Sequence, residues 1–186
     1  MINRSAIKLS FTLVLLVCCG SMMYSQGVAD FSSLQINSPG EDGKMLDFAF
    51  SEDQKYFAIA NEGKILKLFD GRTGKYLKVI KGVQEDVIEI RLTDDGTKLV
   101  SLGLDNSLVL IDVASGKVLQ TMKFSTKLRC LDIDASGRLA VLGDKRGTIH
   151  FIDLQKGETI REMQSGAPQV SSIAFSPNYS MIAAGT

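Results

Sequence analysis

Residues 87–123 read VIEIRLTDDGTKLVSLGLDNSLVLIDVASGKVLQTMK. Four apolar runs lie near 87–92, 97–102, 107–112 and 117–122, separated by TDDGT, GLDN and VASG. Gly, Asp, Asn and Ser between β-branched and aliphatic runs are the chemistry of tight turns, so the stretch predicts four consecutive antiparallel strands joined by hairpins. Runs of about six residues have the usual strand length.

The pattern repeats on both sides. MLDFAFSEDQKYFAIANEGKILKLFDGRTGKYLKVIKG starts at Met45, LRCLDIDASGRLAVLGDKRGTIHFIDLQKGETIREMQ at Leu128 and VSSIAFSPNYSMIAAGT at Val170. Successive starts are 42, 41 and 42 residues apart. Asp70, Asp112 and Asp153 keep the same step, as do Gly74, Gly116 and Gly157. Internal repetition at this period indicates an array of supersecondary units, each of which needs its neighbours to bury its apolar surface. In the first strand of each unit Phe48, Ile90, Leu131 and Ile173 share a position, and two residues on so do Phe50, Leu92, Ile133 and Phe175. That is one apolar face at the strand period of two. Met45, Val87, Leu128 and Val170 fall on the other face by the same count, which predicts sheets covered on both sides, as stacked blades are.

A period near 42, four strands per unit and an Asp closing the third strand resemble the WD-repeat (WD40-like) propellers. LFDGRTGK, LIDVASGK and FIDLQKGE are similar to that family's Trp-Asp ending and following turn, and IAFSPNYSMIAAGT is similar to its first two strands. The likeness runs from about Phe31 to Thr186. Phe69, Ile111 and Ile152 stand where the family has Trp, and no Gly-His pair precedes any unit. The resemblance implies an all-β β-propeller of four-stranded antiparallel blades, about three and a half of them, in an incomplete ring. It also implies that 31–37 (FSSLQIN), which resembles the fourth strands, is a closure strand. Seven such blades would need about 290 residues, so the expectation is a longer protein, with a half-ring that closes by dimerising as the alternative.

Residues 1–25 carry Arg4 and Lys8, an apolar run from Phe11 to Cys19 and small polar residues towards Ser25. This is the order of a secretory signal, and the run is shorter than the roughly 20 residues of a membrane span. The expectation is export to the periplasm or exterior, of the kind found in secreted bacterial WD-repeat proteins, with the mature chain, 26–186, beginning near Gln26. An uncleaved anchor and a lipid anchor at Cys18 or Cys19 are the alternatives. Cys130 then has no disulfide partner, and within an apolar strand it reads as a buried, inert thiol.

Lys+Arg and Asp+Glu balance at 21 each, so no basic surplus points to nucleic acid. One His and one mature Cys offer no zinc ligand set, and no cofactor is expected. The Gly-Lys pairs in RTGKY and ASGKV lack the Ser/Thr and upstream Gly of a phosphate loop. His150 aligns with Lys67 and Val109, which reads as a strand surface, and Glu52, Asp53, Asp94 and Asp95 read as solvated hairpin tips.

No catalytic residue is assigned. The resemblance implies a non-catalytic platform that binds a protein or peptide through loops on one rim. Those loops are 84–86, 125–127 and 166–169, leading into first strands, and 61–63, 104–107 and 144–147, between second and third strands. The candidate contact residues in and beside them are Glu62, Asp86, Asp105, Lys127, Arg129, Asp144, Lys145 and Arg146. The alternatives are a quinoprotein-like propeller with a cofactor in its channel, or a targeting module for a catalytic domain beyond residue 186.

Overall fold

The computed structural model describes residues 14–16, 33–35 and 43–186. Among these the fold is all-β. Blade one comprises β3 (Met45–Phe50), β4 (Tyr56–Asn61), β5 (Ile65–Asp70) and β6 (Tyr76–Ile80). Blade two comprises β7 (Val87–Leu92), β8 (Lys98–Gly103), β9 (Ser107–Asp112) and β10 (Val118–Lys123). Blade three comprises β11 (Leu128–Ile133), β12 (Leu139–Asp144), β13 (Thr148–Asp153) and β14 (Glu158–Gln164), and β15 (Ser172–Phe175) with β16 (Ile182–Gly185) makes half of a fourth. Each sheet is antiparallel with neighbouring strands in chain order, and among the described residues the blades do not close a ring. β1 (Val14–Leu16) pairs with β2 (Ser33–Gln35), which lies within the expected closure segment. The remainder of 31–37 and most of the expected signal segment 1–25 lie outside the described residues.

The Asp and Gly landmarks of the repeat have a local cause. Asp70 Oδ1 accepts bonds from the N–H groups of Arg72 (3.1 Å) and Thr73 (2.8 Å), closing the turn between third and fourth strands. Asp112 caps its turn through Ser115 N (2.7 Å), and Asp153 through Gln155 N and Lys156 N (both 3.0 Å). Four residues after each Asp, Gly74, Gly116 and Gly157 adopt φ of 67°, 70° and 69°, the left-handed conformation that glycine reaches without a Cβ clash.

Blade stacking makes the core. Ala58, Ala60, Leu66 and Leu68 of blade one pack against Val87, Ile90, Leu92, Leu99 and Ile111 of blade two. The other face of blade two, with Val100, Leu102, Leu108 and Leu110, packs against Leu128, Leu131, Ile133 and Leu142 of blade three. Cys130, Val141 and Ile149 cover Val170 and Ile173 of the half-blade. Fully burying one such aliphatic side chain is worth about 1.5–3 kcal/mol. Cys130 is a free, buried thiol whose pKa burial pushes up to about 11.

One expectation about the faces is corrected. Val87, Ile90 and Leu92 share a single face, although 87 and 90 differ by an odd number. The reason is a β-bulge: the register slips between Val87 and Glu89, and equally between Met45 and Asp47 and between Leu128 and Cys130. The extra residue, Leu46, Ile88 or Arg129, reverses the alternation, so the apolar positions on either side of it point the same way. Both blade faces are still covered, but by the second and third strands.

The first strands of successive blades lie side by side and are tied by acidic side chains. Asp47 Oδ2 accepts from Ile90 N (2.7 Å), and Glu89 Oε2 from Leu131 N (2.7 Å). Blade three has Cys130 at the matching place, and Asp132, two residues later, accepts from Phe175 N (2.7 Å) instead. A first strand is a sheet edge with N–H groups left over, and a carboxylate from the preceding blade supplies the acceptor. Arg91 lies among these acids: its Nε is 3.3 Å from Asp132, its Nη1 3.8 Å from Asp47, and its Nη2 donates to Glu89. Burial raises the Glu89 pKa, and the Arg91 charge opposes that shift.

Candidate functional site

At one end of the blades, each turn between second and third strands meets the connection into the first strand. The N–H groups of Glu62, Leu104 and Lys145 donate to the carbonyls of Lys44, Asp86 and Lys127, each at 2.9 Å. Further bonds link each turn to the connection that follows. Asp86 Oδ1 accepts from Gly63 N (2.9 Å) and Lys64 N (2.8 Å), Asn106 Oδ1 accepts from Leu128 N (3.3 Å), and Asp144 O accepts from Val170 N (2.9 Å). The backbone bond from each turn to the connection of its own blade therefore repeats, while the ties to the following connection and the outward side chains change from blade to blade.

Four rim positions correspond from blade to blade: the residue before the first strand, the bulge residue, and two residues of the turn. Blade one has Lys44, Leu46, Glu62 and Gly63; blade two has Asp86, Ile88, Leu104 and Asp105; blade three has Lys127, Arg129, Lys145 and Arg146. All four in blade three are exposed, and no side chain among the described residues holds them by an ion pair or hydrogen bond. Glu62 is exposed too, with a 3.3 Å bond from Lys44 N. The neighbouring Lys64 is paired with Glu85 at 3.1 Å.

Three of the eight candidate residues do other work, and here the structure corrects the sequence reading. Asp144 is 1% exposed. Its Oδ1 accepts from Arg146 N and Thr148 N (both 2.8 Å), and its Oδ2 from Thr126 Oγ1 (2.9 Å). Burial works against its charge, but the Thr148 N–H, His150, the Arg146 N–H and Thr126 outweigh it and hold the pKa below the ordinary carboxyl value. Asp86 holds the blade-one turn, as described. Asp105 caps Ser107 N (3.1 Å) and meets Lys123 Nζ at 3.3 Å. The rim thus brings together Lys127, Arg129, Lys145 and Arg146, with Glu62 two blades away.

His150 is likewise not a strand surface. It is 5% exposed, with Nε2 3.1 Å from Asp144 Oδ2 and Nδ1 2.9 Å from Glu162 Oε1, and its ring meets Phe124 edge-on at 5.9 Å. The signal for it was present: a lone His six residues after Asp144, in a strand otherwise made of TI and FID. At the other end of the blades the acidic tips are also occupied. Asp95 caps Thr97 N (2.9 Å), and both oxygens of Asp94 lie 3.1 Å from the Tyr179 hydroxyl of the half-blade.

Four-stranded antiparallel blades at a 42-residue step, stacked through apolar faces and tied along their first strands, give this chain the architecture of a WD40-like propeller. The chain is similar to several known proteins, one of them named for WD repeats. It is 26% identical over 127 residues to U3 small nucleolar RNA-associated protein 13 of Saccharomyces cerevisiae, which is 67% of this chain and 16% of that protein. It is 26% identical over 158 residues to WD repeat-containing protein AAC3 of Dictyostelium discoideum, 81% of this chain and 33% of that protein. It is also 26% identical over 132 residues to a Poly(A)+ RNA export protein of Schizosaccharomyces pombe, 68% of this chain and 37% of that protein. The chain thus spans from about a sixth to a little over a third of the length of these relatives. No family model matches it.

Proposed function

We propose that the chain is a non-catalytic scaffold that captures a protein or peptide partner through the loop rim. The observation that carries this is the contrast just described. A rim backbone that repeats from blade to blade presents side chains that the repeat does not demand, from Glu62 through Leu104 to Lys145. Most side chains of the second and third strands are occupied by packing, and acids at the opposite tips, such as Asp70 and Asp95, by turn closure. Rigid elements holding varied loops are a common basis for recognition. The likeness to a WD repeat-containing protein supports the same reading.

Reversing Arg129 and Arg146 together (R129E/R146E) is expected to abolish partner capture by the full-length protein, measured by affinity purification followed by direct binding to the identified partner. The change in stability should stay under about 0.5 kcal/mol, as is usual for exposed sites. The control is K117E/K156E, two exposed lysines in the turns between third and fourth strands. Asp94 and Asp95 would not serve, since both are bonded. Capture lost in the control and kept in the rim variant would place recognition elsewhere.

Export is a separate proposal and rests on residues 1–25. Expressed with its own N-terminus in a bacterial host, the protein is expected outside the cytoplasm, starting near Gln26. N-terminal sequencing that finds Met1 on a soluble cytoplasmic product would refute it.

A further inference from the structure

We infer that the partner's contact segment is acidic and carries an apolar side chain, and that it lies across the rim of blades two and three. This rests on the scaffold reading above and specifies its ligand. All four corresponding rim positions of blade three are basic, where blade one has a single Lys and blade two has none. Two of them are locked together through the backbone, Lys145 N donating to Lys127 O at 2.9 Å. Arg129 occupies the bulge, where an extra residue turns a side chain out of the normal alternation. Arg146 has its N–H fixed by Asp144 at 2.8 Å.

The acid nearest to the four cations does not cancel them outwardly. Asp144 is buried and directed at Thr126, His150 and two backbone N–H groups. Lys123, by contrast, is already paired with Asp105 at 3.3 Å. Four unpaired cations on one stretch of rim attract a partner segment that supplies carboxylates.

The apolar requirement comes from Leu104. It is 54% exposed at the turn position that Glu62 and Lys145 fill in the flanking blades. Asn106, two residues on, holds Leu128 N and so joins this turn to the start of β11, beside Lys127 and Arg129. An extended segment crossing from blade three to blade two meets charge first and an exposed leucine next. A nucleic acid fits less well. Single strands bind through aromatic platforms, and the ring nearest to this rim, Phe124, already stands edge-on to His150. Glu62 at the blade-one side would also repel a second run of phosphates.

The test is fluorescence anisotropy with the full chain and a labelled Glu-Glu-Leu-Glu-Glu-Leu peptide. Its neutral counterpart has Gln for Glu, and a labelled oligouridylate is the third probe. The acidic peptide is expected to bind, and to weaken as salt rises. K127Q/R129Q/K145Q/R146Q should weaken it by about tenfold or more, and L104A by about threefold. K117E/K156E should leave it unchanged. R129E/R146E, which alters fewer residues, serves if the quadruple variant proves unfolded by circular dichroism. Equal loss in the opposite-end control would reduce the effect to general charge and overturn the inference. Tighter binding of oligouridylate would overturn it in favour of nucleic acid. If the peptide fails to bind but R129E/R146E still abolishes capture of the natural partner, the rim reading stands and the acidic-segment inference alone falls.

Discussion

Asp144→Ala is expected to lower the unfolding free energy by about 3 kcal/mol, read from denaturant midpoints with an unchanged slope. The carboxylate accepts from Arg146 N, Thr148 N and Thr126 Oγ1 and faces His150 Nε2 at 3.1 Å, all beneath the blade-three rim. Alanine leaves these groups without their acceptor where water has little access, and a buried unsatisfied polar group costs about 1–3 kcal/mol. Asp144→Asn keeps the shape and one acceptor oxygen and should cost less. Its deficit has a pH signature. The Asp144 pKa is lowered in the fold, so its charge stabilises fully above the unfolded value of 3.8 and the contribution is lost as pH falls through the folded value. The stability gap between wild type and Asp144→Asn should therefore be widest near neutrality and narrow below about pH 4. A gap independent of pH would mean that the carboxylate's charge is not what holds the turn.

Gly147→Ala is expected to be comparably damaging, for a different reason. Lys64 and Asn106 occupy the same turn position with φ of 63° and 62°, so the left-handed conformation alone does not demand glycine. What does is the connection into the half-blade. A Cβ on Gly147 would lie 1.8 Å from the carbonyl oxygen of Ala167, a backbone atom that cannot rotate away. Either the turn or the 165–169 loop must move, and a loss of about 3 kcal/mol is expected on top of altered rim geometry. Gly166→Ala is the matched comparison: φ is 81° but a Cβ there meets nothing within 4 Å, so it should cost only about 1 kcal/mol. Equal thermal shifts for the two variants would show that the clash relaxes freely.

Much of the architecture could be read from residues alone, because its causes are local. Asp70, Asp112 and Asp153 announce turns by capping them, and the strands between follow from aliphatic runs of fixed length. What escaped the reading depends on pairing that the residues themselves do not mark: the register within a blade and the partners of the rim acids. The bulge at Leu46, Ile88 and Arg129 has no signature of its own, and strict alternation put Val87 on the wrong face. The rim acids looked exposed because loops are polar, yet Asp144 is buried by its four partners. The ties between first strands were signalled, though weakly. Asp47, Glu89, Arg91 and Asp132 are charges inside otherwise apolar strands, and such charges ask for a partner. Nothing in one repeat says that the partner is the backbone of the next.

Those ties also run one way. In each case the carboxylate belongs to the earlier blade and the N–H to the later: Asp47 to Ile90, Glu89 to Leu131, Asp132 to Phe175. During synthesis the acceptor is therefore already outside the ribosome when the strand that needs it emerges. Each new blade can dock on a finished surface and be secured at its first strand at once, without waiting for residues still to be translated. Assembly from the N-terminal side gains a ratchet, and an exposed strand edge, the usual site of mispairing between nascent chains, is short-lived each time a blade is added.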